Sequence, residues 1–164
     1  MLRTAMKSIM LVAAVSTGGL ALPVFAASTT TVNVSLTDAG GEATPATDMG
    51  MTMMGDHQMA VMHVTADKAE VPAGKVTFAV TNKSRDIVHE MLVVKVASTA
   101  KPLPYDEAEG RVNEEAAGDL GEVSELDPGG SGSLTLTLDK GTYMLFCNVP
   151  GHYAAGMWTL VTVI

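Results

Sequence analysis

Cysteine is nearly missing: Cys147 is the single one in 164 residues. That excludes a disulfide framework, a Cys-rich zinc site, a Cys-ligated iron–sulfur cluster and covalent c-type haem attachment. Aromatic residues make up 4% of the chain, too few for base-stacking platforms. Basic charge is short as well, with Lys and Arg at 10 against 18 Asp and Glu and a formal net charge of −8. A nucleic-acid partner is therefore not expected, because non-specific binding needs Lys and Arg to displace counterions from phosphates. Charged residues of either sign reach only 17%, while 47% of the chain is hydrophobic, so wholesale disorder is excluded. What the chain does have is sulfur in another form, 12 Met.

The N-terminus reads as a signal peptide over residues 1–26. Arg3 and Lys7 give a positive start, Ser8 to Leu22 is uncharged and mostly apolar, and Pro23 breaks the run. Val24-Phe25-Ala26 then offers small residues at −3 and −1 for cleavage. The apolar run falls short of the roughly 20 residues that a bilayer span needs, and no later stretch is long and apolar enough. The expectation is an exported, periplasmic protein with no stable membrane insertion after cleavage. An oxidising compartment endangers an idle thiol, so Cys147 should be buried, bound to something, or both.

Beyond the leader the pattern is β. Val32, Val34 and Leu36 alternate with polar residues over 31–37. Residues 38–60 lose any period and read as a long Met-rich loop. Residues 27–60 are thus taken as an N-terminal strand plus this loop, and 61–164 as the main domain. Strands are predicted at 61–65, 75–82, 87–96, 133–138, 142–147 and 157–163, separated by turn signals such as Pro72-Ala73-Gly74 and Asp127-Pro128-Gly129-Gly130. Between them, Tyr105 to Ala117 predicts a short helix inside an acidic tract that runs from Asp106 to Asp127 and holds one basic residue, Arg111. The expected fold class is all-β, an antiparallel sandwich with a Met-rich insertion and an acidic loop or short helix.

The chemistry concentrates in Cys147-Asn-Val-Pro-Gly-His152-Tyr-Ala-Ala-Gly-Met157. Four residues separate Cys147 from His152, and four separate His152 from Met157. A loop of this kind between two strands collects a thiolate, an imidazole and a thioether at one end of a sheet. His89, near the start of a predicted strand, is the natural second imidazole. His₂Cys with a weak axial Met is the ligand set of a blue-copper electron-transfer site. Thiolate suits both copper states, the imidazoles serve either, and a distant Met tolerates the change between them. Gly151 and Gly156 let the loop turn, and Pro150 stiffens it. A lone Cys is ordinarily a small hydrophobe and a lone His ordinarily structural, but the three together at this spacing are jointly rare. The rival reading, Cys147 as a nucleophile activated by His152, lacks oxyanion donors and an orienting partner for the His.

On these residues the segment from Lys75 to Ile164 resembles the cupredoxin (type 1 blue copper) family. Its final loop is most similar to the auracyanin, rusticyanin and sulfocyanin type. The resemblance implies a Greek-key β-sandwich holding one type 1 copper on His89, Cys147, His152 and axial Met157. One position departs from the pattern: many cupredoxins place Asn directly after the first His, tying the two ligand loops together, and here that residue is Glu90.

The expected function is one-electron transport by Cu(I)/Cu(II) cycling, with redox partners such as a cytochrome or an oxidase. An enzyme is not expected, since beyond His89 and His152 only His57 and His63 remain, too few imidazoles for a trinuclear copper cluster. The alternative function is copper buffering or delivery. Met49, Met51, Met53, Met54, Met59 and Met62, with His57 and His63 among them, would form a second Cu(I) site, since thioethers are soft ligands. The same Met residues could instead pack adaptably over the sandwich. The acidic tract either steers a basic partner or simply keeps a face solvated. Tyr153, Ala154 and Ala155 are expected to form a small apolar patch around the surface edge of His152.

Overall fold

Alternation of β-branched and polar residues makes strands that can bury one face and wet the other, and most of this chain is built that way. In the computed structural model the residues described are 28–38, 62–97 and 101–164. The leader and most of the Met-rich tract lie outside them. The strands are β1 (Thr30–Thr37), β2 (His63–Ala66), β3 (Glu70–Val71), β4 (Gly74–Asn82) and β5 (His89–Val96). After them come β6 (Tyr105–Asp106), β7 (Arg111–Val112), the short helix α1 (Glu114–Ala117), β8 (Asp119–Leu126), β9 (Ser131–Leu138), β10 (Gly141–Phe146) and β11 (Trp158–Val163).

Two sheets face each other. One has the order β2-β1-β4-β9 and the other β3-β11-β10-β5-β8. Val32, Val34, Leu36, Val76, Phe78 and Val80 point inward from the first sheet. Met91, Val93, Tyr143, Leu145, Val161 and Val163 meet them from the second. Burial of such side chains is worth about 1.5–3 kcal/mol each, and this layer is the main core. A second apolar cluster lies on the other face of the second sheet. Leu92, Val94, Met144 and Phe146 are covered there by Val112 and Tyr153.

The all-β sandwich expected from the sequence is present, with three corrections. The pairing is not wholly antiparallel: β1 runs parallel to β4, and β3 parallel to β11. Between β1 and β4 the chain passes through β2 and β3, and such a path brings a strand back in the same direction, which a hairpin cannot do. The helix expected between Tyr105 and Ala117 is confined to Glu114–Ala117. Ahead of it β6 and β7 form a small hairpin, whose turn is fixed by Asp106 Oδ1 accepting from the Ala108 and Glu109 amides at 2.8 and 3.2 Å. Finally, much of the acidic tract is strand. β8 forms the edge of the second sheet and buries only Val123 well, and an edge tolerates the charges that disguise it.

Candidate metal centre

Register decides what meets at the end of the second sheet. β5 and β10 are antiparallel neighbours, with Leu92 opposite Phe146. The first residue of β5, His89, therefore lies at the same end as Cys147, which follows β10 directly. From Cys147 the chain turns through residues 148–157 and re-enters the sheet as β11. The loop bonds to itself: the His152 amide donates to Val149 O at 2.9 Å, Met157 to His152 O at 3.0 Å and Cys147 to Met157 O at 3.0 Å. Gly151, at φ +83°, supplies the left-handed residue that this path requires just before His152.

These constraints bring three donors to one buried point. His89 Nδ1 lies 3.3 Å from His152 Nδ1. Cys147 Sγ lies 3.3 Å from His152 Nδ1 and 3.8 Å from His89 Nδ1. Among the described residues His89, Cys147 and His152 form a cluster able to hold a metal ion, with ligand atoms all within 4.8 Å of one another. Met157 is fully buried in the same apolar cluster as Cys147. His89 and Cys147 are fully buried too, whereas His152 keeps 8% of its surface exposed.

The electrostatics suit a soft cation. Burial pushes the Cys147 thiol up to about 11. Burial, and then the neighbouring His152 ring, brings His89 down to about 4, against a small opposing pull from Asp38. Burial also lowers His152, with Arg111 adding to it. Both imidazoles are therefore neutral donors near pH 7. Alone, two neutral rings and a thiol use their crowded lone pairs poorly. A cation held at their meeting point would engage all three and displace the thiol proton. The Glu90 amide donates to Cys147 Sγ at 3.5 Å, a contact that favours thiolate. Two imidazoles and a thiolate are the donor chemistry of copper.

Glu90, the departure noted in the sequence, is 4% exposed. Burial raises its carboxyl to about 7, outweighing the pull of Arg111, whose Nη1 lies 3.7 Å from Oε1. One expectation needs adjusting. Tyr153 does not join a surface patch beside His152: it is 1% exposed and packs edge-on to Phe146 at 5.5 Å between ring centres. Its hydroxyl turns inward because it accepts the Leu103 amide at 3.0 Å, which leaves Ala154 as the exposed neighbour. Of the Met-rich tract, residues 49–59 lie outside the described residues. Met62 packs against the core, and His63 opens β2 opposite Thr37. The sequence reading missed Asn148, although it sits beside Cys147 inside the motif. It is 1% exposed and engages Val112 and Glu114. A polar residue in a loop gives no sign that its partners lie about 35 residues earlier.

The family model described as copper binding proteins, plastocyanin/azurin family, matches residues 48–164. Among solved structures, reduced rusticyanin is similar with a TM-score of 0.53 and 18% identity, over 85% of this chain and 82% of that one. Rusticyanin from Thiobacillus ferrooxidans gives a TM-score of 0.51 and 17% identity, over 85% and 80%. Reduced auracyanin from the photosynthetic bacterium Roseiflexus castenholzii is 27% identical, with a TM-score of 0.47, over 85% and 99%. No curated protein matches the chain.

Proposed function

Because the chain belongs to the plastocyanin/azurin family of copper-binding proteins, we propose that it is a periplasmic electron carrier whose type 1 copper is held by His89, Cys147, His152 and Met157. When bound, copper supplies reversible one-electron exchange between Cu(I) and Cu(II). The observation that carries the reading is the convergence of two imidazole nitrogens and one thiol sulfur within 4.8 Å at a buried point.

The chain's own residues do the rest. Cys147 would hold the metal as thiolate, having lost its proton, and the Glu90 amide donates to its sulfur. The neutral imidazoles bind without first losing a proton. The self-bonded loop holds Cys147 and His152 in place, so little has to move when the charge at the site changes. His152 alone of the three reaches solvent, at 8% exposure, and its edge is the route by which electrons leave to a redox partner such as a cytochrome. Residues 1–26 act as the export signal, 27–60 as strand and Met-rich loop, and 61–164 as the copper domain. Among the described residues no helix is long and apolar enough to cross a membrane.

The test is an optical and spin-resonance spectrum of the Cu(II)-loaded protein. An intense blue or green thiolate-to-copper absorption is expected, and Cys147→Ser abolishes it. A weak, ordinary Cu(II) spectrum from the unaltered protein would sink the proposal.

One observation favours the copper-handling alternative. β1 ends and β2 begins at the metal end, where Thr37 pairs with His63 and Asp38 is close enough to bear on His89. His63 Nε2 is buried there with no hydrogen-bond partner among the described residues. On that reading, deleting Met49–Met62 stops delivery of Cu(I) to an acceptor. If loading and delivery are unchanged by the deletion, the alternative fails.

A further inference from the structure

We propose that the excursion from Leu103 to Glu114 is a clamp that sets the geometry of the metal loop, with Asn148 as its principal positioning residue. The inference rests on the copper reading above. It starts from a pattern in the contacts: every converging donor has a chain neighbour tied to this same excursion.

Beside Cys147, the Asn148 amide pairs with Val112 as a second backbone would. Oδ1 accepts from the Val112 N–H at 2.7 Å, and Nδ2 donates to Val112 O at 3.0 Å. A further bond from Nδ2 to Glu114 Oε1 at 2.9 Å fixes which way the amide points. On the near side of His152, the Gly151 N–H donates to Gly110 O at 2.7 Å. On its far side, the Tyr153 hydroxyl accepts the Leu103 N–H at 3.0 Å. Beside His89, Glu90 faces Arg111 at 3.7 Å. The approach at Gly110 is close enough that a Cβ there would sit 3.3 Å from Gly151 N and 3.6 Å from Pro150 Cβ.

None of these groups is one of the four proposed ligands, so the clamp acts through the positions of Cys147 and His152. It also gives Glu90 a neighbour: its amide still ties the two ligand-bearing segments by donating to Cys147 Sγ, while its side chain faces Arg111 of the same excursion that holds Asn148. The physical consequence is directional. Cu(II) favours tetragonal surroundings, and a clamped loop denies it that rearrangement. Loosening the clamp should tighten Cu(II) binding relative to Cu(I) and lower the reduction potential.

The experiment compares the full-length copper-loaded protein with Asn148→Ala, Glu114→Ala and Gly110→Val. Spectrum, hyperfine splitting and reduction potential are read beside the melting temperature of the metal-free form. Asn148→Ala should shift the Cu(II)-to-Cu(I) affinity ratio about tenfold, which for one electron is about 59 mV downward. The absorption band and hyperfine splitting should move with it. Glu114→Ala and Gly110→Val should move the same readouts less, and they carry the test if Asn148→Ala does not fold. A lowered melting temperature with potential, band and splitting unchanged assigns the contacts to stability alone and overturns the proposal, as does a raised potential. If the unaltered protein shows no intense band, the copper reading falls, which is a separable failure.

Discussion

The two sheets of the sandwich are covered differently, and the metal loop belongs to the one covered twice. In the first sheet β4 alternates: Val76, Phe78 and Val80 are buried, while Thr77 and Thr81 are half-buried on the outer face. In the second sheet, Met91 to Val94 and Tyr143 to Phe146 are buried without a break. A strand loses its alternation when both its faces are covered. Here the excursion that carries β6, β7 and α1 covers the outer face, together with Tyr153 from the metal loop. Cys147 extends one of these doubly covered strands and His89 opens the other. Cys147 and His89 thus grow from strands packed on both faces, and such packing suits a site whose donors should not move.

The largest test of this comparison sets Phe146→Ala against Phe78→Ala. Each should cost about 3–5 kcal/mol in denaturant unfolding. Only Phe146→Ala, beneath Tyr153 and next to Cys147, should also alter the Cu(II) spectrum. Equal spectral effects would break the distinction between the faces. A smaller change, Tyr153→Phe, removes the acceptor of the Leu103 amide and should cost about 1 kcal/mol while loosening the cover of the outer face. Hydrogen exchange at the Leu103 amide should rise with it. On the wet face of the first sheet, Thr77→Val breaks the 2.7 Å hydroxyl pair with Thr135. It should cost no more than about 0.5–1 kcal/mol and leave the copper spectrum unchanged.

The smallest effect is in acid. Asp67 accepts from the Asn33 side chain at 2.7 Å and the Asn33 amide at 2.8 Å. The Asn33 side chain is the main cause that holds its carboxyl below the ordinary 3.8. A depressed folded-state value means that the unfolded chain binds the proton first as pH falls. The stabilisation is therefore full above the ordinary range and lost as pH drops through the lowered value. Asp67→Ala should lower stability at neutral pH and flatten the acid limb of the unfolding curve below about pH 4, and an unchanged acid limb would remove Asp67 from this role.

How much could be read beforehand follows the same division between the sheets. Where one face is wet, as in β1, β4 and β9, alternation marked the strands to within a residue or two. β8 was hidden because an edge strand tolerates Glu122 and Glu125 on its outer side, leaving Val123 as a lone buried apolar signal. The parallel pairing of β1 with β4 has no local mark at all. The continuous run Met91–Val94 read as strand through its apolar and β-branched character, but nothing in it told what covers its second face.

The chain order alone determined the spacing of Cys147, His152 and Met157 on one loop, because they are separated by residues whose turn-forming character is local. It also determined that Cys147 has no disulfide partner within the chain, since it is the single cysteine. Tertiary structure decided the rest. The register of β5 against β10 brings the His89 ring within 3.8 Å of Cys147 across a separation of 58 residues. Docking of residues 103–114 on the second sheet made Asn148, Gly110 and Arg111 neighbours of the ligands. Burial shifted the protons of the thiol and the imidazoles. Those are effects of distance and desolvation, which are set only when the folded chain brings together groups that lie far apart along it.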